Sequence, residues 1–353
     1  MLKVGIIGAG SISQYHIEPY QKTGKCEVKA IADVNIEFAK NKAAQFNIPE
    51  VYDDYHEILK DESIDAVSIV TPTFTHKQII IDALNSGKHI LCEKPPALNA
   101  EEVKETLEVA KKNDKVVLYG FVLRYDVHYK YLKEFIDAGK MGKIMTVEAR
   151  RVNRCNKIGG WFVNKKLAGG GALMDGAIHE LDTALALMGY PKPKTVVGYT
   201  SGANIDLPDI VKANNVGWKA ADNNAKHIKD IESVASGYVI FENGASLFIK
   251  ASQALHTVKQ GTTVEICGEK AGAIIDRSAE RKLQMMDTRD NYITEYTPVL
   301  SSTNIYQDQV DHFVDCIVNG TEPEIKMEDM VILMQIMDAI YESAETGKPI
   351  EFF

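Results

Sequence analysis

Two groups of residues in this chain could do chemistry. The first is Glu93-Lys94-Pro95-Pro96, which closes the short apolar run His89-Ile90-Leu91-Cys92. An ammonium group at the carboxyl end of a parallel strand stands where open α/β sheets collect ligands. Each proline fixes its own φ and holds the preceding residue extended, so Lys94 is set on a stiff backbone. An X-Pro bond is also where a cis peptide is accessible, which makes Lys94-Pro95 a candidate for one. The second group is Asp175, His179 and Asp182, behind Gly169-Gly170-Gly171. Helical spacing puts these three on one face. A histidine titrating near neutral pH suits general acid–base work, and a carboxylate beside it orients it or holds a substrate hydroxyl. Two other readings stay open at this point. A metal pair is one, but Thr183 stands where the second histidine of HExxH would be and no other ligand set completes it, so no metal is expected. A satisfied core histidine is the other. Lys94, Asp175 and His179 are the candidate catalytic residues.

Such groups need elements to position them and a ligand to act on. The run Leu2 to Ile7 reads as a strand buried on both faces, followed at once by Gly8-Ala9-Gly10-Ser11-Ile12-Ser13. Gly8 permits a tight turn and Gly10 lets backbone approach a pyrophosphate. Ser11 and Ile12 open a helix whose N-terminus offers N–H groups and partial positive charge. Ser13 replaces the third glycine of GxGxxG. The context is right nonetheless: the turn follows a strand, opens a helix, and has Asp33 at the end of the next strand, 26 to 32. A carboxylate there accepts ribose hydroxyls and repels a 2′-phosphate. Val34-Asn35 supplies no arginine to hold one, so NAD is favoured over NADP.

Strand and helix patterns alternate up to about residue 121, with helices expected near 12–23, 36–46, 75–86 and 101–112. That alternation implies a doubly wound parallel sheet. Beyond it the register changes. Strands are expected at 143–152 and 195–200, and hairpins through Glu242-Asn243-Gly244 and through 269–272. Helices are expected at 128–138, 305–318 and 327–345, the last carrying a Met330, Leu333, Met334, Met337 and Tyr341 stripe that reads as core. The polar stretch 203–230 reads as a loop or lid. The fold class expected is α/β plus α+β: an N-terminal Rossmann domain, 1–122, and a C-terminal domain, 123–353, of open, largely antiparallel sheet with helices.

The totals narrow the function classes. At 353 residues two domains are the natural division. Forty basic against 49 acidic residues, net −9, argue against a general nucleic-acid binder. Five cysteines without a CxxC pair point to a reducing compartment. No apolar run reaches membrane-spanning length and the chain opens directly into a strand, so a cytoplasmic protein is expected.

Taken together, the Gly-rich turn, Thr71-Pro72-Thr73-Phe74-Thr75-His76, Glu93-Lys94-Pro95, the Asp175…His179 segment and the ending Ser343-Ala344-Glu345-Thr346-Gly347-Lys348-Pro349-Ile350 resemble the Gfo/Idh/MocA family of NAD(P)-dependent oxidoreductases. The resemblance spans essentially the whole chain. It implies reversible hydride transfer between nicotinamide and a secondary alcohol of a sugar, polyol or related cyclic alcohol. It also implies homodimers or homotetramers built on the C-terminal sheet. Carried over, Lys94 contacts the reacting hydroxyl and the nicotinamide ribose, His179 exchanges the hydroxyl proton and Asp175 binds a neighbouring hydroxyl. Thr71, Pro72, His76 and Glu93 join Gly8, Gly10, Ser11, Ile12 and Asp33 on the cofactor side. Arg124, Tyr125 and Trp161 are candidate substrate contacts. The chain departs from the family pattern at Ala177, where a glycine is common, and in lacking a proline after Tyr125-Asp126. NAD-retaining glycosidases of the same family, and a non-catalytic dinucleotide sensor, are the alternative functions.

Overall fold

The computed structural model describes residues 1–154, 159–202 and 230–353. Most of the stretch read as a loop or lid, 203–230, lies outside the described residues. Two compact units emerge: one holds Met1–Tyr125 with Asn304–Val331, the other most of the remainder.

The first unit is a parallel sheet wound with helices. Its elements are β1 (Leu2–Ile7), α1 (Gln14–Lys22), β2 (Cys26–Ala32), α2 (Ile36–Phe46), β3 (Glu50–Tyr52), α3 (Tyr55–Lys60), β4 (Ala66–Ile69), α4 (His76–Asn85), β5 (His89–Cys92), α5 (Ala100–Ala110) and β6 (Val117–Tyr119). Strand order is β3-β2-β1-β4-β5-β6, every pair parallel. Order therefore reverses between β1 and β4, and the carboxyl ends of those strands frame a crevice. The strands are largely apolar where both faces are covered: Val4, Ile6, Ile31, Val67, Ile69, Ile90 and Leu91 are buried. Helix starts follow capping chemistry. Asn35, Asp54 and Asn99 each accept a backbone N–H two or three residues on, opening α2, α3 and α5.

The second unit carries α6 (Val127–Asp137), β7 (Ile144–Val152), α7 (Lys165–Ala168), α8 (Ile178–Met188), β8 (Pro193–Ser201), β9 (Val234–Phe241), β10 (Ser246–Ser252), β11 (Gly261–Gly268), β12 (Ala271–Asp276), β13 (Leu283–Arg289) and β14 (Tyr292–Tyr296). Further along lie α9 (Ile305–Asn319), α10 (Met327–Thr346) and β15 (Ile350–Glu351). The sheet has nine strands in the order β14-β13-β12-β11-β7-β10-β9-β8-β15. All of its pairs are antiparallel except β7 with β10. Both expected hairpins form, β9–β10 through Gly244 at φ 84° and β11–β12 through 269–270. One face buries Val147, Val239, Leu247 and Ile266. On the other, Val197, Tyr238 and Ile240 are 46%, 45% and 40% exposed in the single chain. This alternation is the period-2 pattern of strands with one packed face.

Helix α9 clusters with the parallel sheet despite lying some three hundred residues from β1. Its stripe of Val310, Phe313, Val314 and Cys316 is buried. Gln307 Nε2 donates to the Pro19 carbonyl at 3.2 Å, and the Tyr306 and Tyr15 rings stand 4.7 Å apart. Phe313 is fully buried, so Phe313→Ala is expected to cost about 3–5 kcal/mol. Urea unfolding followed by circular dichroism measures it, and an unchanged midpoint would show that α9 does not brace this unit.

Candidate functional site

The turn after β1 is shaped by its neighbours. Gly8 has φ 106°, and a Cβ there would lie 2.6 Å from the Val70 carbonyl oxygen. A Cβ at Gly10 would meet nothing within 4 Å, so the turn keeps open room on that side. Ser13, in the third-glycine position, is fully buried, and its hydroxyl donates to the Gly10 carbonyl at 2.7 Å. The serine thus ties the turn to the first helical residues. Ser11 is exposed and Ile12 partly so, on the short 3₁₀ turn Ser11–Ser13 that leads into α1. Asp33 Oδ2 accepts the Ala9 N–H and Oδ1 accepts the Asn35 N–H, both at 2.8 Å. One carboxylate fixes the Gly-rich turn to the end of β2, and each oxygen keeps a further lone pair for a ligand hydroxyl. Open space beside Gly10, a helix start and a carboxylate at the end of the second strand are the fittings a dinucleotide requires.

Loops after β4 and β5 are locked to one another. The Thr71 and Thr75 hydroxyls lie 2.7 Å apart, and Thr75 also donates to the Pro72 carbonyl. His76 is buried between two carbonyl oxygens, Pro95 at 2.8 Å from Nδ1 and Thr71 at 2.9 Å from Nε2. Burial lowers the His76 pKa, so the ring is a neutral strut that donates to one carbonyl at a time. The Lys94-Pro95 peptide is cis. Lys94 itself is half-buried, whereas Glu93 turns inward and is 8% exposed.

What receives Glu93 is a buried polar chain that the sequence reading did not single out. Glu93 Oε1 lies 2.9 Å from His16 Nε2, and Oε2 accepts the Lys94 N–H at 3.2 Å. His16 Nδ1 is 3.2 Å from Ser68 Oγ, which is 2.9 Å from the Tyr20 hydroxyl. Burial pushes the Tyr20 phenol far up, so it keeps its proton. In the tautomer that gives Nε2–H to the carboxylate, His16 Nδ1 accepts from Ser68 and Ser68 accepts from Tyr20. The only sequence signal was His16 and Tyr20 at i, i+4 on the inward face of α1.

In the second unit Asp175 and His179 lie on the segment that begins at the triple glycine. Ala172–Ala177 is π-helical and continues into α8, so the pair spans the junction of two helix types. From Gly171 to Glu180, Asp175, Gly176 and His179 are partly exposed and every other residue is buried. Asp182 does not share that face: it is fully buried and bonded to the Tyr190 hydroxyl at 2.5 Å. Arg151 packs over Gly176, with Nε 2.9 Å from where a Cβ would be, and its guanidinium is 3.7 Å from the buried Glu180. Trp161 is partly exposed and stacked on Phe162, with ring centroids 3.8 Å apart. Arg124 and Tyr125, in the first unit, are both buried; Arg124 donates to the Glu324 carbonyl and the Tyr125 ring lies 5.7 Å from that of His312. No group of three or more metal-ligating side chains occurs among the described residues.

The His16 chain carries a stability consequence. His16→Leu leaves the inward carboxylate of Glu93 without its side-chain donor and is expected to cost about 1–3 kcal/mol, whereas Tyr20→Phe removes one neutral bond and costs about 0.5–1.5 kcal/mol. Thermal unfolding of the two variants ranks them, and equal or absent effects would contradict the chain as drawn.

Comparison with known proteins agrees with this fold. Residues 2–121 match the model of an oxidoreductase family with an NAD-binding Rossmann fold, and residues 133–352 match that family's C-terminal alpha/beta domain. D-glucoside 3-dehydrogenase of Escherichia coli (strain K12) is 30% identical over 99% of this chain and 97% of its own length. Myo-inositol 2-dehydrogenase of Thermotoga maritima is 24% identical over 99% of this chain and 98% of its own. Among solved structures, levoglucosan dehydrogenase in complex with NADH and L-sorbose superposes with a TM-score of 0.85 at 24% identity, covering 99% of this chain and 98% of that one, a likeness of fold. With both domain models matched in order and a full-length relative at 30% identity, this chain belongs to the Gfo/Idh/MocA family of oxidoreductases.

Proposed function

We propose that this protein is an NAD-dependent dehydrogenase that oxidises a secondary alcohol of a sugar, polyol or related cyclic alcohol, and reduces the ketone in reverse. The observation that carries the reading is the part-exposed Asp175–His179 face on an otherwise buried segment, in a family of NAD-binding oxidoreductases. Gly8, Gly10, Ser11, Ile12, Asp33, Thr71 and Pro72 hold the dinucleotide, with His76 and Glu93 bracing the loops beneath it. Bound NAD supplies the hydride-accepting carbon, and the chain supplies position and proton transfer. In oxidation the Lys94 ammonium holds the reacting oxygen and His179 takes the hydroxyl proton as the carbinol hydrogen departs with its electron pair. Asp175 accepts a hydrogen bond from a neighbouring hydroxyl and fixes which carbon reacts. Trp161, Arg124 and Tyr125 remain the candidate substrate contacts, Trp161 offering an apolar face to a sugar ring.

The names of relatives favour sugars and cyclitols: D-glucoside, myo-inositol and levoglucosan dehydrogenases. Assembly as a homodimer or homotetramer through the open face of the nine-stranded sheet is the companion reading, since Val197, Tyr238 and Ile240 there are exposed in the single chain. No described helix is long and apolar enough to cross a membrane. A cytoplasmic location accords with cysteines that are all free among the described residues. Functionally, 1–122 serves the cofactor and 123–353 the substrate.

An NADH-absorbance screen over methyl glucosides, myo- and scyllo-inositol and levoglucosan, with NADP in parallel, tests the assignment. NAD-linked turnover of at least one is expected, and preference for NADP would overturn the role of Asp33. Sugar cleavage without NADH release would instead mark a glycosidase. Lys94→Ala and His179→Ala should each lower kcat by about 10²–10⁴-fold, with NAD affinity retained. Unchanged turnover in both removes them from the mechanism.

A further inference from the structure

Three successive backbone N–H groups at the start of the Asp175–His179 segment end on one residue. Glu232 Oε2 accepts Gly171 N–H at 2.7 Å, its carbonyl accepts Ala172 N–H at 3.1 Å, and Oε1 accepts Leu173 N–H at 3.0 Å. These are the donors a helix start leaves without partners of its own. A fourth donor, the Tyr341 hydroxyl from α10, reaches Oε1 at 3.0 Å. Burial pushes the Glu232 carboxyl up, against the opposing pull of the backbone N–H groups and the phenol. The two amides and the phenol all donate to the carboxylate oxygens.

The glycines supply a second, independent observation. A Cβ at Gly170 would stand 2.1 Å from the Tyr341 hydroxyl oxygen, and one at Gly171 would stand 2.1 Å from the Glu232 carbonyl oxygen. The triple glycine is therefore shaped to let this glutamate and tyrosine close on the backbone. The next turn follows directly, since Asp175 N–H donates to the Gly171 carbonyl at 2.9 Å. Leu173 and Met174 anchor the inner face in the core. A slip of one residue at this start would swing the following side chains by about 100°, and Asp175 would leave the open face.

We propose that Glu232 and Tyr341 are positioning residues, a clamp that sets the rotation of the segment carrying Asp175 and His179 and so aims both at the substrate. The proposal rests on the reading of Asp175 and His179 given above. Neither clamp residue touches the reacting atoms. The clamp acts through the Gly171 and Leu173 amides, and its loss shows as misaligned catalysis with intact cofactor binding.

The test pairs Glu232→Gln with Tyr341→Phe in the full chain. A glutamine has one acceptor oxygen for two N–H groups and turns its own NH₂ toward the other. Hydrogen exchange read by mass spectrometry over 170–180 is expected to quicken on the order of tenfold in Glu232→Gln. kcat toward the best sugar of the screen should fall on the order of tenfold or more, with KM and NAD affinity little changed. Tyr341→Phe keeps the carboxylate and both amide bonds, so it should show the same signs more weakly, and it serves if Glu232→Gln does not fold. Unchanged exchange overturns the clamp. Faster exchange with unchanged kcat overturns its positioning role. A wild-type chain that turns over none of the sugars fails the functional reading and takes the aiming role with it, while the exchange data still decide whether the clamp holds the segment.

Discussion

A buried carboxylate must be met by donors, and in this chain that requirement fixes the backbone under the residues assigned to catalysis. An inward Glu93 is acceptable only because His16 and the Lys94 amide serve its two oxygens. Glu232 is acceptable only because two amides and a phenol converge on it. In each case the charge is one step removed from the groups that face a ligand. Its unmet cost would be several times the worth of a surface ion pair, so the local backbone has little freedom to choose another path. Asp33, only partly buried, is held in the same way at the Gly-rich turn, where its two oxygens accept the Ala9 and Asn35 N–H groups.

Placement and chemistry are thereby divided among neighbouring residues. In Glu93-Lys94-Pro95 the first residue is buried and anchors the loop, while the second stays partly exposed. Along Gly169–His179 the glycines admit the clamp, Leu173 and Met174 fill the core, and Asp175 and His179 are left on the open side. Packing and hydrogen bonding set geometry to within tenths of an ångström only where several groups over-determine it, and preorganised sites draw on that rigidity.

How much of this was legible beforehand depends on the range of the signal. The parallel sheet was legible because each strand and helix has its own local pattern, and Gly8, Gly10 and Asp33 sit at fixed offsets from them. The hairpins β9–β10 and β11–β12 were legible from their turns. The parallel pairing of β7 with β10 was not, since strands about a hundred residues apart carry no local mark of direction. Strands β13 and β14 went unread because their residues are largely exposed and lack a clean alternation. Asp182 was expected on the same face as Asp175 and His179, yet Tyr190 holds it inside; the π-helical start also shifts the register that regular helical spacing assumes. The triple glycine is plain in the sequence, but its partners Glu232 and Tyr341 lie 61 and 170 residues beyond Gly171 and only the folded chain brings them together.

Direct passage of the carbinol hydrogen from a sugar or polyol to nicotinamide is tested with a substrate deuterated at the reacting carbon, the label being followed by NMR. Deuterium is expected at C4 of the NADH formed, together with a primary isotope effect on single-turnover oxidation. Label that appears only in solvent water, with none on the nicotinamide ring, would contradict it.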